Sequence, residues 1–277
     1  MKLSKIRALS LLLICCSTTA LAQISYTAAD SCRIVDILQK SDRCSTTDIA
    51  TQFIGLPYIA GTLDKEDNER LTVNIREFDC TTFVEQITAM TITANNKGES
   101  FEEFCYTLNK LRYRNGQCNG YCDRLHYISQ WIEQGERTGL LYEVKGYAHK
   151  ATQRLNLNFM SRHPDSYRQL KENPSLVKEI KKGEQPFGNI SIEYIPKSLL
   201  NGSPQELSIA DGDILAIVTA IEGLDVSHVG FALWQEGTLH LIHASSGKGE
   251  TIIDEQPLFD YMKNKKNNLG VRVFRIK

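Results

Sequence analysis

The chain has 277 residues, with 32 basic against 33 acidic side chains and 8 cysteines. So even a balance supplies no basic face for nucleic acid and excludes that class of partner. The length suits one large domain, and no repeat, low-complexity tract or second apolar span follows residue 22.

Residues 1–22 read as an export signal. Lys2, Lys5 and Arg7 form a basic end, Ala8 to Cys16 an apolar run too short to span a bilayer, and Ala20-Leu21-Ala22 a cleavage site. Removing those three basic residues from 32 leaves 29 against 33 acidic ones, about −4, in a mature chain that starts at Gln23. Cys15 and Cys16 raise the alternative of lipidation, but Ile14 and Cys15 stand where a lipobox needs a small residue. A free exported, periplasmic protein is the first expectation.

Six cysteines remain: Cys32, Cys44, Cys80, Cys105, Cys118 and Cys122. Export permits disulfides, and Cys32–Cys44 and Cys118–Cys122 are the pairs to expect, with Cys105 a buried free thiol in an amphipathic helix. Cys118, Cys122 and His126 are spaced by four and also invite a zinc site. Gly116 and Gly120 argue against a regular helix there, and no fourth ligand is obvious.

In chain order, residues 28–54 show helical periodicity, with Ile34, Ile37, Leu38, Ile49, Phe53 and Ile54 pointing inward. Glycine and proline around Tyr58 mark a shaped loop over 55–64. Tyr58 is there either as a core aromatic or as a hydroxyl aimed into a site. Leu71 to Ile75 suggests a short strand leading to Cys80. Phe83, Val84, Ile87 and Met90 then give a helix over 80–94 an apolar face, with Cys80 at its first turn. Unpaired N–H groups at a helix start favour a thiolate, so Cys80 is either an activated nucleophile or a structural cysteine.

Helices are expected over 100–112 and 123–134. In the second, Leu125, Ile128 and Ile132 form the core stripe. Arg124, His126, Tyr127 and Trp131 lie on or beside other faces, where they could grip a polar, ring-bearing ligand or be ordinary helix surface and core. Residues 145–210 carry turn signals around one helix, from Ser175 to Lys182, and are expected to form long connections along one wall of a cleft. From 211 the pattern changes to strands: Ile214–Thr219, then 228–234, 238–244 and 271–276. Helices followed by strands make an α+β fold.

A hairpin turn near Gly237 would set His228 and His243 at the same end of paired strands, facing the start of the Cys80 helix. His240 belongs to the opposite face from His243. A thiol, a histidine and a second polar residue that orients it are what nucleophilic catalysis by cysteine requires.

These motifs resemble the papain-like, NlpC-type cell-wall peptidases. The residues are Asp79-Cys80 with Thr81-Thr82-Phe83-Val84, Ser227-His228-Val229-Gly230-Phe231, and Ile242-His243-Ala244-Ser245. Thr81-Thr82 departs from the more usual Ser-Gly. Gly55 to Tyr58, Phe78 to Glu85, Arg124 to Tyr127 with Trp131, Phe159 to Pro164 and Gly223 to Phe231 are similar to the AmiA-like N-acetylmuramoyl-L-alanine amidases of that superfamily.

The resemblance implies one papain-like domain over 23–277. Its helical half, about 28–200, would pack on a small antiparallel β-barrel, about 211–277. It implies cleavage of the amide between N-acetylmuramic acid and L-Ala, in a muropeptide carrying the 1,6-anhydro sugar. Cys80 would be the nucleophile, His228 the base and acid, and His243 its orienting partner, with Tyr58 and the Cys80 N–H as oxyanion donors. Asp79 is where related endopeptidases hold a free peptide amine, and in an amidase it turns structural. Arg124, His126, Tyr127 and Trp131 would serve the glycan. No metal or cofactor is required, and a monomer is expected. The alternatives are an endopeptidase cutting between D-Glu and diaminopimelate, or a non-catalytic glycan-fragment binder.

Overall fold

Capping signals in the sequence set where the first helices start. The computed structural model describes residues 24–40 and 45–277. The export signal, Cys15, Cys16 and Cys44 lie outside them, and with Cys44 the expected Cys32–Cys44 pair. The chain runs β1 (Ile24–Ser25), α1 (Ala28–Lys40), α2 (Thr46–Thr51), β2 (Leu71–Thr72), α3 (Cys80–Asn95), α4 (Phe101–Arg112), α5 (Ile128–Thr138) and β3 (Leu141–Glu143). Next come β4 (Ala151–Asn156), α6 (Phe159–Arg162), α7 (Arg168–Glu172), α8 (Pro174–Glu184), β5 (Gly188–Pro196) and α9 (Pro204–Leu207). The chain ends with β6 (Ile214–Thr219), β7 (Val226–Gln235), β8 (Thr238–Ser245), β9 (Glu250–Ile253), α10 (Leu258–Lys263) and β10 (Asn268–Ile276). Ser45, Asp79 and Ser100 each close a reciprocal capping box at the start of α2, α3 and α4.

The sheet has the order β4-β5-β10-β6-β7-β8-β9, with β3 also paired to β10. Its neighbours are antiparallel throughout. It does not close, so the expected small barrel is instead an open sheet. The reason lies at β9. Its outer edge is taken by the 55–58 loop: Gly55 N–H donates to the Thr251 carbonyl and Thr251 N–H to the Leu56 carbonyl, each at 2.8 Å. Over Gly249–Thr251 this edge is therefore taken by the loop and does not pair with a further strand.

An aromatic chain ties the helices to the sheet. Phe53 meets Phe78 at 5.7 Å between ring centres, Phe78 meets Phe83 at 5.4 Å, and Phe83 meets Phe231 of β7 at 5.8 Å, all edge to face. All four rings are fully buried. Burial of a phenylalanine stabilises by about 1.5–3 kcal/mol and an aromatic pair by about 0.5–1.5 kcal/mol more. Phe78 and Phe83 flank Cys80, so the nucleophile candidate is anchored on both sides. Ile54, expected inside, is 39% exposed because the chain has already left the helical path there.

Two further expectations change. The helix predicted from 123 begins at Ile128, because Tyr113 and Arg124 form an antiparallel bridge and Leu125 N–H donates to the Arg112 carbonyl at 2.9 Å. The 145–210 stretch is not a set of long connections along a cleft. Its β4–β5 ribbon extends the sheet at the edge opposite β9, with α6, α7 and α8 packed beside it. Only α8 was foreseen, since β4 is a mostly exposed edge strand with a weak apolar pattern.

Candidate active site

Cys80 is the first residue of α3, and Asp79 is the cap before it. The Asp79 carboxylate accepts from Thr82 N–H at 2.8 Å and from the Thr82 hydroxyl at 2.9 Å, while Asp79 N–H donates to that hydroxyl at 3.0 Å. Thr82 is thus half of the capping box, which accounts for its presence where the resembling family often has glycine. The backbone N–H of Val229 faces the Cys80 sulfur, placing the sulfur one residue from His228.

Strand pairing delivers the histidines. The β7–β8 register sets Phe231 opposite Ile242, which brings the start of β7 against the end of β8. His228 Nε2 and His243 Nδ1 lie 2.6 Å apart with their rings edge to face. Gly230 makes this approach possible: a Cβ there would come within 2.7 Å of the Ile242 carbonyl and 2.9 Å of His243 Cβ. On the far side, His243 Nε2 lies 3.4 Å from the Asp254 carboxylate. Asp254 is fixed independently. Its carbonyl accepts from His240 Nδ1 at 2.8 Å, its N–H donates to Leu241, and its other carboxylate oxygen accepts from Gln256 N–H at 3.0 Å. His228, His243 and Asp254 therefore stand in a row, and the Cys80 sulfur sits at the Val229 N–H, next in the chain to His228.

One proton arrangement satisfies this line. The Asp254 carboxylate, 3.4 Å away, favours the His243 proton on Nε2, so that Nδ1 accepts. His228 then donates from Nε2, leaving Nδ1 as the nitrogen free to take a proton from the thiol. Asp254 was not anticipated. It follows β9, a strand the periodicity did not reveal, and reaches His243 only through β8–β9 pairing.

The electrostatics differ from the expected activated thiolate. Burial, then the Asp79 carboxylate, push the Cys80 thiol up to about 11. The capping carboxylate offsets the positive end of the helix. Burial, with His243 and Lys265 nearby, takes His228 down to about 3. His243 is also lowered, by burial against the opposing pull of Asp254. At neutral pH the resting pair is a thiol and a neutral imidazole.

Tyr58 reaches the same place. Its N–H donates to the Gly249 carbonyl at 2.8 Å, and it bridges in parallel to Phe78, two residues before Cys80. Burial and the nearby Cys80 and Asp79 raise its phenol, so the hydroxyl stays a neutral donor.

The residues expected to serve the glycan are not brought to Cys80. Arg124 is 8% exposed and engages Glu69 at 2.6 and 3.0 Å, Asp64 at 2.7 Å and the Leu63 carbonyl at 3.2 Å. It clamps the 61–70 loop. His126 Nε2 bonds the Tyr121 carbonyl at 2.9 Å, and burial beside Arg124 lowers it to about 3. Tyr127 donates to Glu184 at 2.6 Å and accepts from Met160 N–H at 2.9 Å. Trp131 is a core residue, 2% exposed. Each is engaged inside the protein, a commitment that side-chain type alone does not reveal.

Cys118 and Cys122 are free rather than paired. Their sulfurs diverge, Cys118 towards the Tyr113 hydroxyl and Cys122 towards the Leu176 carbonyl at 3.7 Å. With His126 Nε2 already bonded, these three do not converge on a metal, and among the described residues no group of three or more ligands could hold one. Cys105 is buried and free.

The fold and the four-residue line define an α+β hydrolase-like chain with a candidate thiol centre at a helix–sheet junction. The chain belongs to the AmiA-like, N-acetylmuramoyl-L-alanine amidase-like family, whose pattern matches residues 48–271. It is similar to an N-acetylmuramoyl-L-alanine amidase from Bacteroides uniformis, with 38% identity over 84% of this chain and 99% of that one and a TM-score of 0.79. A Bacteroides fragilis protein carrying a provisional xylanase label is 40% identical over 82% of this chain and 98% of its own, with a TM-score of 0.77. A Legionella pneumophila protein of the DUF1460 family, 22% identical over 90% of this chain and 94% of its own at a TM-score of 0.67, shares the fold. No curated protein matches the chain.

Proposed function

We propose that the protein is a cysteine-dependent amidase that splits N-acetylmuramic acid from L-Ala in peptidoglycan fragments, on a papain-like, NlpC-type core. The observation that carries this is the His228–His243–Asp254 row, with the Cys80 sulfur at the Val229 N–H beside it and Tyr58 within electrostatic reach of Cys80. His228 Nδ1 takes the thiol proton as Cys80 attacks the lactyl carbonyl. The Tyr58 hydroxyl and Cys80 N–H receive the developing oxyanion, where one donor is worth about 3 kcal/mol. His228 returns the proton to the L-Ala nitrogen, the peptide leaves, and the lactyl group remains as a thioester. Water, deprotonated by His228, releases the sugar acid and restores the thiol.

On the amidase reading, the role of Asp79 is to cap α3 through Oδ1, which accepts both the Thr82 N–H and the Thr82 hydroxyl. The substrate we propose carries the 1,6-anhydro sugar, and the 1–22 segment supports action after export to the periplasm.

Mass spectrometry after incubation with a disaccharide-anhydro-muramoyl tetrapeptide tests this. Free disaccharide plus intact tetrapeptide, formed by the wild type and not by Cys80→Ala, is the expected result. A disaccharide-dipeptide product would move the reaction to the stem peptide, and equal turnover by Cys80→Ala would remove the cysteine from it.

A further inference from the structure

A cavity of about 540 Å³ opens beside the histidine line, between β9 and α10. Asp254 and Tyr261 belong to its lining, and Lys248, Lys265, Glu250 and Glu255 stand exposed around it. Tyr261 connects it to the chemistry. Its ring meets His243 edge to face at 5.9 Å, and its hydroxyl is within electrostatic reach of both Asp254 and Cys80. The Lys265 ammonium lies 3.2 Å from the centre of the Tyr261 ring, and among the described residues no carboxylate is at ion-pair distance from it. Its backbone is fixed: Lys265 N–H donates to Met262 at 3.0 Å, and its carbonyl accepts from Lys197 Nζ at 2.9 Å and Asn268 N–H at 3.1 Å.

The reaction decides which half of a substrate lies here. The leaving nitrogen must take its proton from His228, so everything attached to that nitrogen extends on the imidazole side of Cys80. The cavity that adjoins His243, Asp254 and Tyr261 is on that side. On the amidase reading, we propose that it receives the leaving peptide and that Lys265 holds a carboxylate of that peptide, with Tyr261 beneath it.

The Lys265 ammonium rests on an aromatic face and feels the Asp254 carboxylate only from beyond ion-pair distance, so a carboxylate in direct contact completes the site. Glu250 and Glu255 disfavour a carboxylate on their part of the rim, and of the two rim lysines, Lys248 and Lys265, it is Lys265 that rests on Tyr261, the residue in contact with His243. The site therefore selects an acidic residue at a defined distance from the cleaved bond, rather than anions in general.

The test uses two sugar–lactyl peptides that differ only at the second residue, a free carboxylate in one and its carboxamide in the other. The ratio of their kcat/KM values cancels any effect of Lys265 on the histidines. Wild type should prefer the acid by about tenfold. Lys265→Gln should bring that ratio close to one, mainly through KM on the acid, while Lys265→Arg keeps the preference. Cleavage of both substrates by wild type at equal efficiency, or an unchanged ratio in Lys265→Gln, overturns the inference and leaves the amidase reading standing. Absence of cleavage at the sugar–peptide bond by wild type overturns that reading and this one with it.

Discussion

His228 and His243 approach to 2.6 Å, Nε2 to Nδ1, and this contact assigns the direction of the whole proton line. With Nε2 of His228 committed, only Nδ1 can serve the thiol. The choice is set from behind by Asp254, whose carboxylate, 3.4 Å from Nε2, favours the His243 proton on that nitrogen electrostatically.

Asp254 should therefore act through His243 as a positioning residue. Asp254→Ala is expected to lower kcat by about 10- to 100-fold with little change in KM, and Asp254→Asn, whose amide oxygen still accepts from Nε2, to recover part of it. Steady-state kinetics on one muropeptide checks this. Wild-type rates in both variants would detach Asp254 from the line.

The pH profile should be broad and flat. The competent pair holds one proton between Cys80 and His228, and it keeps that proton between the His228 value of about 3 and the Cys80 value of about 11. Rates of kcat/KM measured from pH 5 to 9 should show no titration near 6.5. A fall through 6.5 on acidification would mean that His228 behaves as an ordinary exposed imidazole.

Acid stability follows from the same burial. His126 and His228 are neutral when folded down to about 3, but in the unfolded chain they take protons below about 6.5. Stability from these groups is complete above 6.5 and is lost as pH falls towards 3. Two protons correspond to a slope of roughly 3 kcal/mol per pH unit at most within that window. Urea unfolding at pH 7, 6 and 5 measures it. Because carboxylates such as Glu85 titrate in the same experiment, the diagnostic is a slope smaller by about one proton in His228→Gln.

Asp79 has two separable effects. Asp79→Ser keeps a capping side chain but removes the charge, so the Cys80 thiol should ionise at lower pH and iodoacetamide should alkylate it more than about threefold faster at pH 8.5. Asp79→Ala should in addition cost about 1 kcal/mol of stability. An unchanged alkylation rate in the serine variant would show that the carboxylate does not govern the thiol.

Arg124 should behave as a structural residue. Arg124→Ala leaves the almost fully buried Glu69 side chain without its charged partner and with only the Tyr113 hydroxyl, which costs about 3 kcal/mol in unfolding free energy. Where the variant remains folded, long and short glycopeptides should lose activity by the same factor. A loss confined to substrates with more sugar would return Arg124 to the glycan.

Much of the site was legible because its signals are local. A cap, a cysteine and an apolar helix fall within a dozen residues, and a tight turn at Gly237 makes the pairing of His228 with His243 a matter of counting. Asp254 was invisible because its partner lies across a strand pair. Arg124, His126 and Tyr127 misled because polarity marks a need for partners without saying where they are. Glu69, Tyr121 and Glu184 supply them from inside. The barrel failed for a similar reason: strand runs do not show that the loop bearing Tyr58 occupies the edge that closure would need.

The protonated state of Cys80 has a consequence for survival in oxidising surroundings. Peroxide and foreign disulfides react with thiolates, and a sulfur that holds its proton to about 11 offers them very little. The same holds for Cys122, at about 11, and Cys105, at about 12. On the proposed mechanism, Cys80 becomes reactive only when a bound substrate gives the proton transfer somewhere to lead.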